Sequence, residues 1–175
     1  MNAVTPVVLG MLSLGPRSGY DIKSAVDRST RYFWAASYGQ IYPELRRLEQ
    51  DGLIEGEDAP SGGRSRRVYR LTKAGRDALK TWLFGSTVTI ELRDESLLRL
   101  FFADALPRDE ALLLLEGRKK GHEEYLRALR EIEARPGEDP PFVDLVLRWG
   151  IEFNEWGAKW CEKHLKRLRD ETKAA

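Results

Sequence analysis

Apolar positions in the first third of the chain recur at helical spacing in three short stretches separated by turn formers. Val7, Val8, Leu9, Met11 and Leu12 follow Thr5 and Pro6 and stop at Gly15-Pro16. This predicts a first helix with Thr5 as N-cap and proline in its first turn. Ser18 with Asp21 three residues on is a capping-box pattern, and it opens a second short helix through Ile22, Ala25 and Val26 that fades into the polar run Arg28 to Arg31. Ser37 and Gln40 repeat that pattern ahead of Ile41, Leu45 and Leu48, spaced i, i+4 and i+7, and Gly52 closes this third helix. Leu53 to Gly56 and Arg67 to Leu71 have strand character and flank a turn-rich stretch, so they predict a hairpin. Thr72 then caps a fourth helix carrying Leu79, Trp82 and Leu83. Three helices, a hairpin and a helix, in that order, are a winged helix-turn-helix.

Beyond Gly85 the strand signals fade and three helical stretches follow: Asp94 to Ala103, Arg108 to Arg135, and Phe142 to about Glu171. Leu115, His122 and Leu129 share one heptad position of the long middle helix, and Arg118, Tyr125 and Ile132 share another. That narrow stripe suits packing against a second helix. The expected fold is therefore mainly α, with a winged helix-turn-helix domain and its small β-hairpin wing over 1–85 and a helical domain over 86–175.

Composition sharpens this picture in three ways. A length of 175 residues with 42% hydrophobic content is enough to bury a core without covalent staples. The single cysteine, Cys161, cannot form an intramolecular disulfide, which favours a reducing compartment. The apolar run Val7 to Leu14 is too short to span a bilayer and has no basic residues ahead of it, so neither signal peptide nor membrane anchor is expected and the cytoplasm is the expected location. Charge is uneven: 13 Lys and Arg stand against 9 Asp and Glu up to Gly85, and 16 against 19 after it. A nucleic-acid contact would thus belong to the basic N-terminal part.

A helix that enters the major groove needs one face to hold it in its fold and another to reach phosphates and base edges. In the third helix Ile41, Leu45 and Leu48 form the first face. Gly39, Pro43, Arg46, Arg47 and Gln50 lie around the opposite side, with Tyr38, Gln40 and Tyr42 at its margins. Arg46 is the first choice for a base or phosphate contact. Pro43 should clash with the carbonyl of Gly39 unless the first turn is irregular, which blurs the start of the helix. Arg64, Arg66 and Arg67, beside Ser61, Gly62 and Gly63, form a basic hairpin tip suited to phosphate contact or minor-groove insertion.

Three tracts, GPRSGYDIK, FWAASYGQIYPELRRLEQDGLIE and RRVYRLTKAGRDALKTWL, resemble the N-terminal domain of the PadR family of bacterial regulators. Tyr42-Pro43-Glu44-Leu45 followed by Leu48-Glu49-Gln50-Asp51-Gly52-Leu53 carries much of the likeness, and Tyr69, Leu71, Thr72 and Gly75 look like the junction between wing and helix. ELRDESLLRLFFAD and the two long helices resemble the C-terminal domain of the subgroup with the larger helical tail. The resemblance implies a homodimer held by the C-terminal helices. It also implies binding to an inverted-repeat operator on double-stranded DNA, repression of a nearby gene, and release by a small-molecule effector. By position it points to Tyr38, Gln40, Tyr42 and Arg46 in the third helix, and to Arg64, Arg66 and Arg67 in the wing, as DNA contacts.

The last helix carries Trp149, Phe153, Trp156 and Trp160 at i, i+4, i+7 and i+11, an aromatic stripe that reads as a dimer or domain interface, with an effector pocket as the sharper alternative. Cys161 and His164 lie three apart but have no further cysteine or histidine nearby, so packing is expected there rather than a metal site, and no cofactor is expected. No nucleophile with a base and no phosphate loop in strand-to-helix context is present, so an enzyme is not expected. A winged helix that binds protein instead of DNA is the competing function.

Overall fold

The computed structural model describes residues 2–59, 66–85, 93–137 and 139–174, with side chains through 171. The chain forms two compact units, 1–89 and 90–175. The first contains α1 (Thr5–Ser13), β1 (Arg17–Ser18), α2 (Gly19–Asp27), a 3-10 turn (Thr30–Tyr32), α3 (Tyr38–Gln50), β2 (Ile54–Ala59), β3 (Arg66–Leu71) and α4 (Lys73–Leu83). It is a winged helix-turn-helix. The three strands lie in the order β1-β3-β2, all antiparallel, with Ile54 opposite Leu71 and Ala59 opposite Arg66.

The predicted apolar face of α3 is the centre of the core. Ile41, Leu45 and Leu48 have no exposed surface and pack with Val8, Leu9 and Leu12 of α1, Ile22 and Val26 of α2, and Ile54, Tyr69 and Leu71 of the sheet. Truncating any of these large aliphatics to alanine costs about 2–5 kcal/mol, which is why the face tolerates no polar group without a partner. Helix α3 ends in a Schellman arrangement: Gly52 has φ +69°, its N–H donates to the Glu49 carbonyl and the Leu53 N–H donates to Leu48. Thr72 caps α4 by accepting from the Gly75 N–H at 3.1 Å, and its hydroxyl donates to the Gly52 carbonyl at 2.8 Å.

Four details differ from the sequence expectation. Thr5 is not the N-cap of α1; Asn2 Oδ1 caps that helix by accepting from the N–H groups of Val4 and Thr5, and the Thr5 hydroxyl donates instead to the stronger acceptor of the Glu44 carboxylate. Strand β1 is only two residues long, too short for any alternation to announce it. Trp82 and Leu83 are exposed, and only Leu79 of the predicted α4 face packs on the core. Helix α3 runs from Tyr38 with Pro43 inside it; the proline gives up one intrahelical hydrogen bond, and the surrounding core holds the helix.

The second unit contains α5 (Glu95–Phe101), a 3-10 turn (Ala103–Ala105), α6 (Arg108–Glu133) and α7 (Pro141–Ala174). Helices α6 and α7 are antiparallel. Leu115 meets Cys161 and Leu165, His122 lies on Gly157, and Leu129 lies on Gly150, so the first of the two predicted heptad positions of α6 lies in the seam between them, whereas Tyr125 of the second is 52% exposed. Ion pairs from Arg130 to Glu155 at 2.6 Å and from Arg169 to Glu116 flank it. Arg118, 11% exposed, reaches Asp94 at 2.8 Å and ties α6 to the start of α5. Among the described residues no helix is long and apolar enough to cross a membrane.

Candidate nucleic-acid interface

With the core consuming Ile41, Leu45 and Leu48, α3 turns Tyr38, Gln40, Tyr42, Arg46 and Gln50 outward, with the Arg47 side chain 45% exposed. Tyr38 and Tyr42, one turn apart, stack with ring centroids 6.1 Å apart and 21° between planes. Each has its own support. Lys23 of α2 lies 5.4 Å over the Tyr38 ring, and the Tyr42 ring lies where Gly19 has no side chain, since a Cβ there would come within 2.7 Å of Tyr42 Cε1. Glycine at position 19 therefore lets α2 and the outward tyrosine pack in register. Gln40 reaches back to the start of its own helix, where Oε1 accepts from the Ser37 N–H at 3.0 Å and from the Ser37 hydroxyl at 3.1 Å.

The arginines predicted to contact DNA differ sharply in their surroundings. Arg46 is exposed and has no hydrogen-bond or ion-pair partner among the described residues. Arg47 is engaged inward: its guanidinium donates to Glu44 at 2.6 and 3.1 Å, to Asp51 at 2.6 Å and to the Thr5 hydroxyl at 3.1 Å. Arg66 is paired with Asp21, the capping-box residue of α2. Arg67 bridges Glu49 of α3 at 2.6 Å and Asp58 of β2 at 3.2 Å, and lies 5.9 Å over the Tyr69 ring. Arg64, with Ser61, Gly62 and Gly63, lies outside the described residues. The structure thus brings Tyr38, Gln40, Tyr42 and Arg46 onto one outward surface, and it supplies Arg47, Arg66 and Arg67 with carboxylates.

Those carboxylates are the functional residues that sequence reasoning passed over. Glu44 is 4% exposed and accepts from Arg47, Thr5 and Asn2. The Arg47 hydrogen bond is the largest influence on it; burial opposes, the Thr5 and Asn2 bonds assist, and the carboxyl is held at about 2. A charged residue between Ile41 and Leu45 on the buried face was the signal that could have found it. Burial raises the Asp21 carboxyl, but hydrogen bonds from the Ser18 N–H and hydroxyl and from Arg66 outweigh it and hold the group below its ordinary value. Glu49 also accepts from the Gly56 N–H at 3.1 Å, so one carboxylate joins α3, β2 and β3. A Cβ at Gly56 would lie 2.6 Å from Arg67 Nε and 2.7 Å from Glu49 Oε1, so a side chain there would push both groups out of this junction.

In the second unit the predicted aromatic stripe of α7 borders the α6 seam, with the Phe153 ring edge-on to His122 at 5.9 Å and Trp160 packed beside Leu115 and Leu165, while much of its surface stays exposed. Trp149 is 62% exposed, Phe153 42% and Trp156 59%, with Trp160 partly buried, and the rings run in series at centroid spacings of 5.3 to 6.5 Å. Cys161 and His164 do not converge. Cys161 is buried beside Leu115 and Leu165, which pushes its thiol up, while the His164 ring lies 4.5 Å from that of Trp160.

Comparison with known proteins gives this geometry a setting. The family model described as "Transcriptional regulator PadR-like family" matches residues 8–81, and that described as "Virulence activator alpha C-term" matches residues 92–169. The chain is 33% identical to the negative transcriptional regulator PadR of Bacillus subtilis, over 94% of this chain and 97% of the relative. It is similar to the crystal structure of Bacillus subtilis PadR in complex with operator DNA, with a TM-score of 0.86, 29% identity, and 95% and 99% of the two chains covered. It is also similar to that protein's complex with p-coumaric acid, with a TM-score of 0.77, 28% identity, and 96% and 99% covered.

Proposed function

Because this chain belongs to the PadR-like family of transcriptional regulators, we propose that it is a homodimeric, sequence-specific repressor that releases its operator when a small molecule binds. The observation that carries this reading is the outward surface of α3, where Tyr38, Gln40, Tyr42 and Arg46, the last without a partner among the described residues, lie opposite a fully buried apolar face. In a two-fold dimer two such helices enter successive major grooves roughly 34 Å apart, and β2 and β3 bring Arg66 and Arg67 to the flanking phosphates. Residues 1–85 are then the DNA-binding domain, and 86–175 the dimerisation and effector domain.

The exposed Trp149, Phe153 and Trp156 support the dimer, since a contiguous aromatic face of this kind is the composition of an interface core. The similarity to a regulator crystallised both with operator DNA and with p-coumaric acid supports release by a small aromatic effector. The family is one of transcriptional regulators.

Fluorescence anisotropy on DNA from upstream of the chain's own gene, against a shuffled duplex at two salt concentrations, tests the proposal. A preference for the native fragment that persists at the higher salt is expected, because base contacts resist salt where phosphate contacts do not. Equal binding to both duplexes, or none to either at low salt, would refute it and favour a protein-binding role for the winged helix.

A further inference from the structure

The carbonyl oxygen of the Gln40 side chain is already used inside the protein. It accepts from both the N–H and the hydroxyl of Ser37, completing the reach-back half of a capping box at the first turn of α3. An amide has one carbonyl oxygen and one NH2 group at opposite corners of a plane. Fixing the oxygen against the helix start directs the nitrogen away from it, and Gln40 is exposed, with no partner for that nitrogen among the described residues. The neighbouring surface is also fixed, since Tyr42 packs against Gly19 and Tyr38 lies beneath Lys23.

Glutamine usually recognises adenine by a paired contact, its oxygen accepting from N6 and its nitrogen donating to N7. In this chain that contact would require Gln40 to abandon both bonds to Ser37. Resting on the DNA-binding reading above, we propose that Gln40 reads the operator as a hydrogen-bond donor only. It favours guanine, whose O6 and N7 are adjacent acceptors, over thymine, whose single O4 acceptor lies beside the C5 methyl, and discriminates against adenine, whose N6 amino group would oppose the amide nitrogen. Its place in the first turn fits this role, because the N-terminal residues of a recognition helix are those that reach base edges.

Selection of bound duplexes from a random pool, carried out with the full chain and with Gln40→Glu, tests the assignment. Glutamate is the commoner capping-box residue at this position, so one of its oxygens keeps the Ser37 N–H while the other faces the groove as an acceptor. The wild type is expected to enrich guanine at one position in each half-site, about tenfold over adenine. The variant should keep the rest of the motif and an unchanged thermal midpoint, and should exchange that guanine for cytosine, whose N4 amino group donates. A measurement on the wild-type protein alone gives the same discrimination even if the variant folds poorly. Inosine at that position keeps both acceptors and should bind unchanged, whereas 2,6-diaminopurine, with an amino group in place of O6, should bind about tenfold more weakly. Enrichment of adenine, uniform weakening of all duplexes by the variant, or an enriched motif indifferent to Gln40 would overturn this assignment alone. A wild-type pool with no enriched sequence would overturn both it and the DNA-binding reading.

Discussion

Replacing Glu44 with glutamine tests how the recognition helix is held. In the native protein the carboxylate is 4% exposed and accepts hydrogen bonds from Arg47, Thr5 and Asn2, which hold its pKa at about 2 rather than 4.5. At about 1.4 kcal/mol per pKa unit this depression corresponds to ~3 kcal/mol of stability at neutral pH. Arg47 is 45% exposed, so water screens part of the attraction and about 2–3 kcal/mol is the expected loss on Glu44→Gln. The sign follows from the depressed value: the stabilisation is fully present above the ordinary carboxyl pKa of 4.5 and disappears as pH falls from there through about 2. Urea unfolding of both proteins, followed by circular dichroism at neutral pH and in steps down to pH 2, gives the difference directly. It should shrink to about 1 kcal/mol at pH 3 and nearly vanish at pH 2. A difference that stays constant across that range, or a loss at neutral pH well under 1 kcal/mol, would show that the ionised carboxylate is not what ties α3 to α1.

Other predictions follow from the same geometry. Arg46→Ala should weaken specific DNA binding by about 1–3 kcal/mol if the residue reads a base, or lower the salt slope by about one on all sequences if it holds a phosphate, and anisotropy titrations over a salt series distinguish the two. Glu49→Gln releases Arg67 from its closest carboxylate and should strengthen binding to random duplexes and steepen their salt dependence, with an unchanged slope counting against the pairing. Gly157→Ala puts a methyl group 2.6 Å from the His122 ring and should destabilise the α6–α7 pair by about 1–3 kcal/mol, read as a lower unfolding midpoint. If the proposed dimer forms through the exposed aromatic face of α7, Trp156→Glu, which places a charge on that face, should give a monomer in light scattering without loss of helicity, where the unaltered chain gives a dimer.

Much of this architecture was legible in the sequence because it is local. The apolar face of α3, the caps at Ser18 and Thr72, the glycine stop at Gly52 and the heptad seam of α6 are all written within a few residues of where they act. Part of what escaped was set by contacts distant along the chain. Asp21 and Arg66 are 45 residues apart and Glu49 and Arg67 are 18 apart, so no periodicity links them. The sequence reading of the arginines as DNA contacts therefore passed over the carboxylates that engage Arg66 and Arg67, whereas those of Arg47, three and four residues away on the same helix, lay within reach of the helical period. Thr5 was misread for the same reason: a threonine before a proline looks like a cap until a buried carboxylate 39 residues away claims its hydroxyl.

The pairing of wing arginines with Asp21, Glu49 and Asp58 has a bearing on how quickly a regulator finds its target. A chromosome offers roughly 10⁶–10⁹ competing sites, and each unneutralised cation lengthens the pause at every one of them. On the proposed DNA-binding reading, arginines already paired within the fold add less to those pauses than free ones would. On that same reading these ion pairs must open before Arg66 and Arg67 reach phosphates, so the cost of the arrangement falls on affinity at the correct site and discrimination rests on the surface of α3.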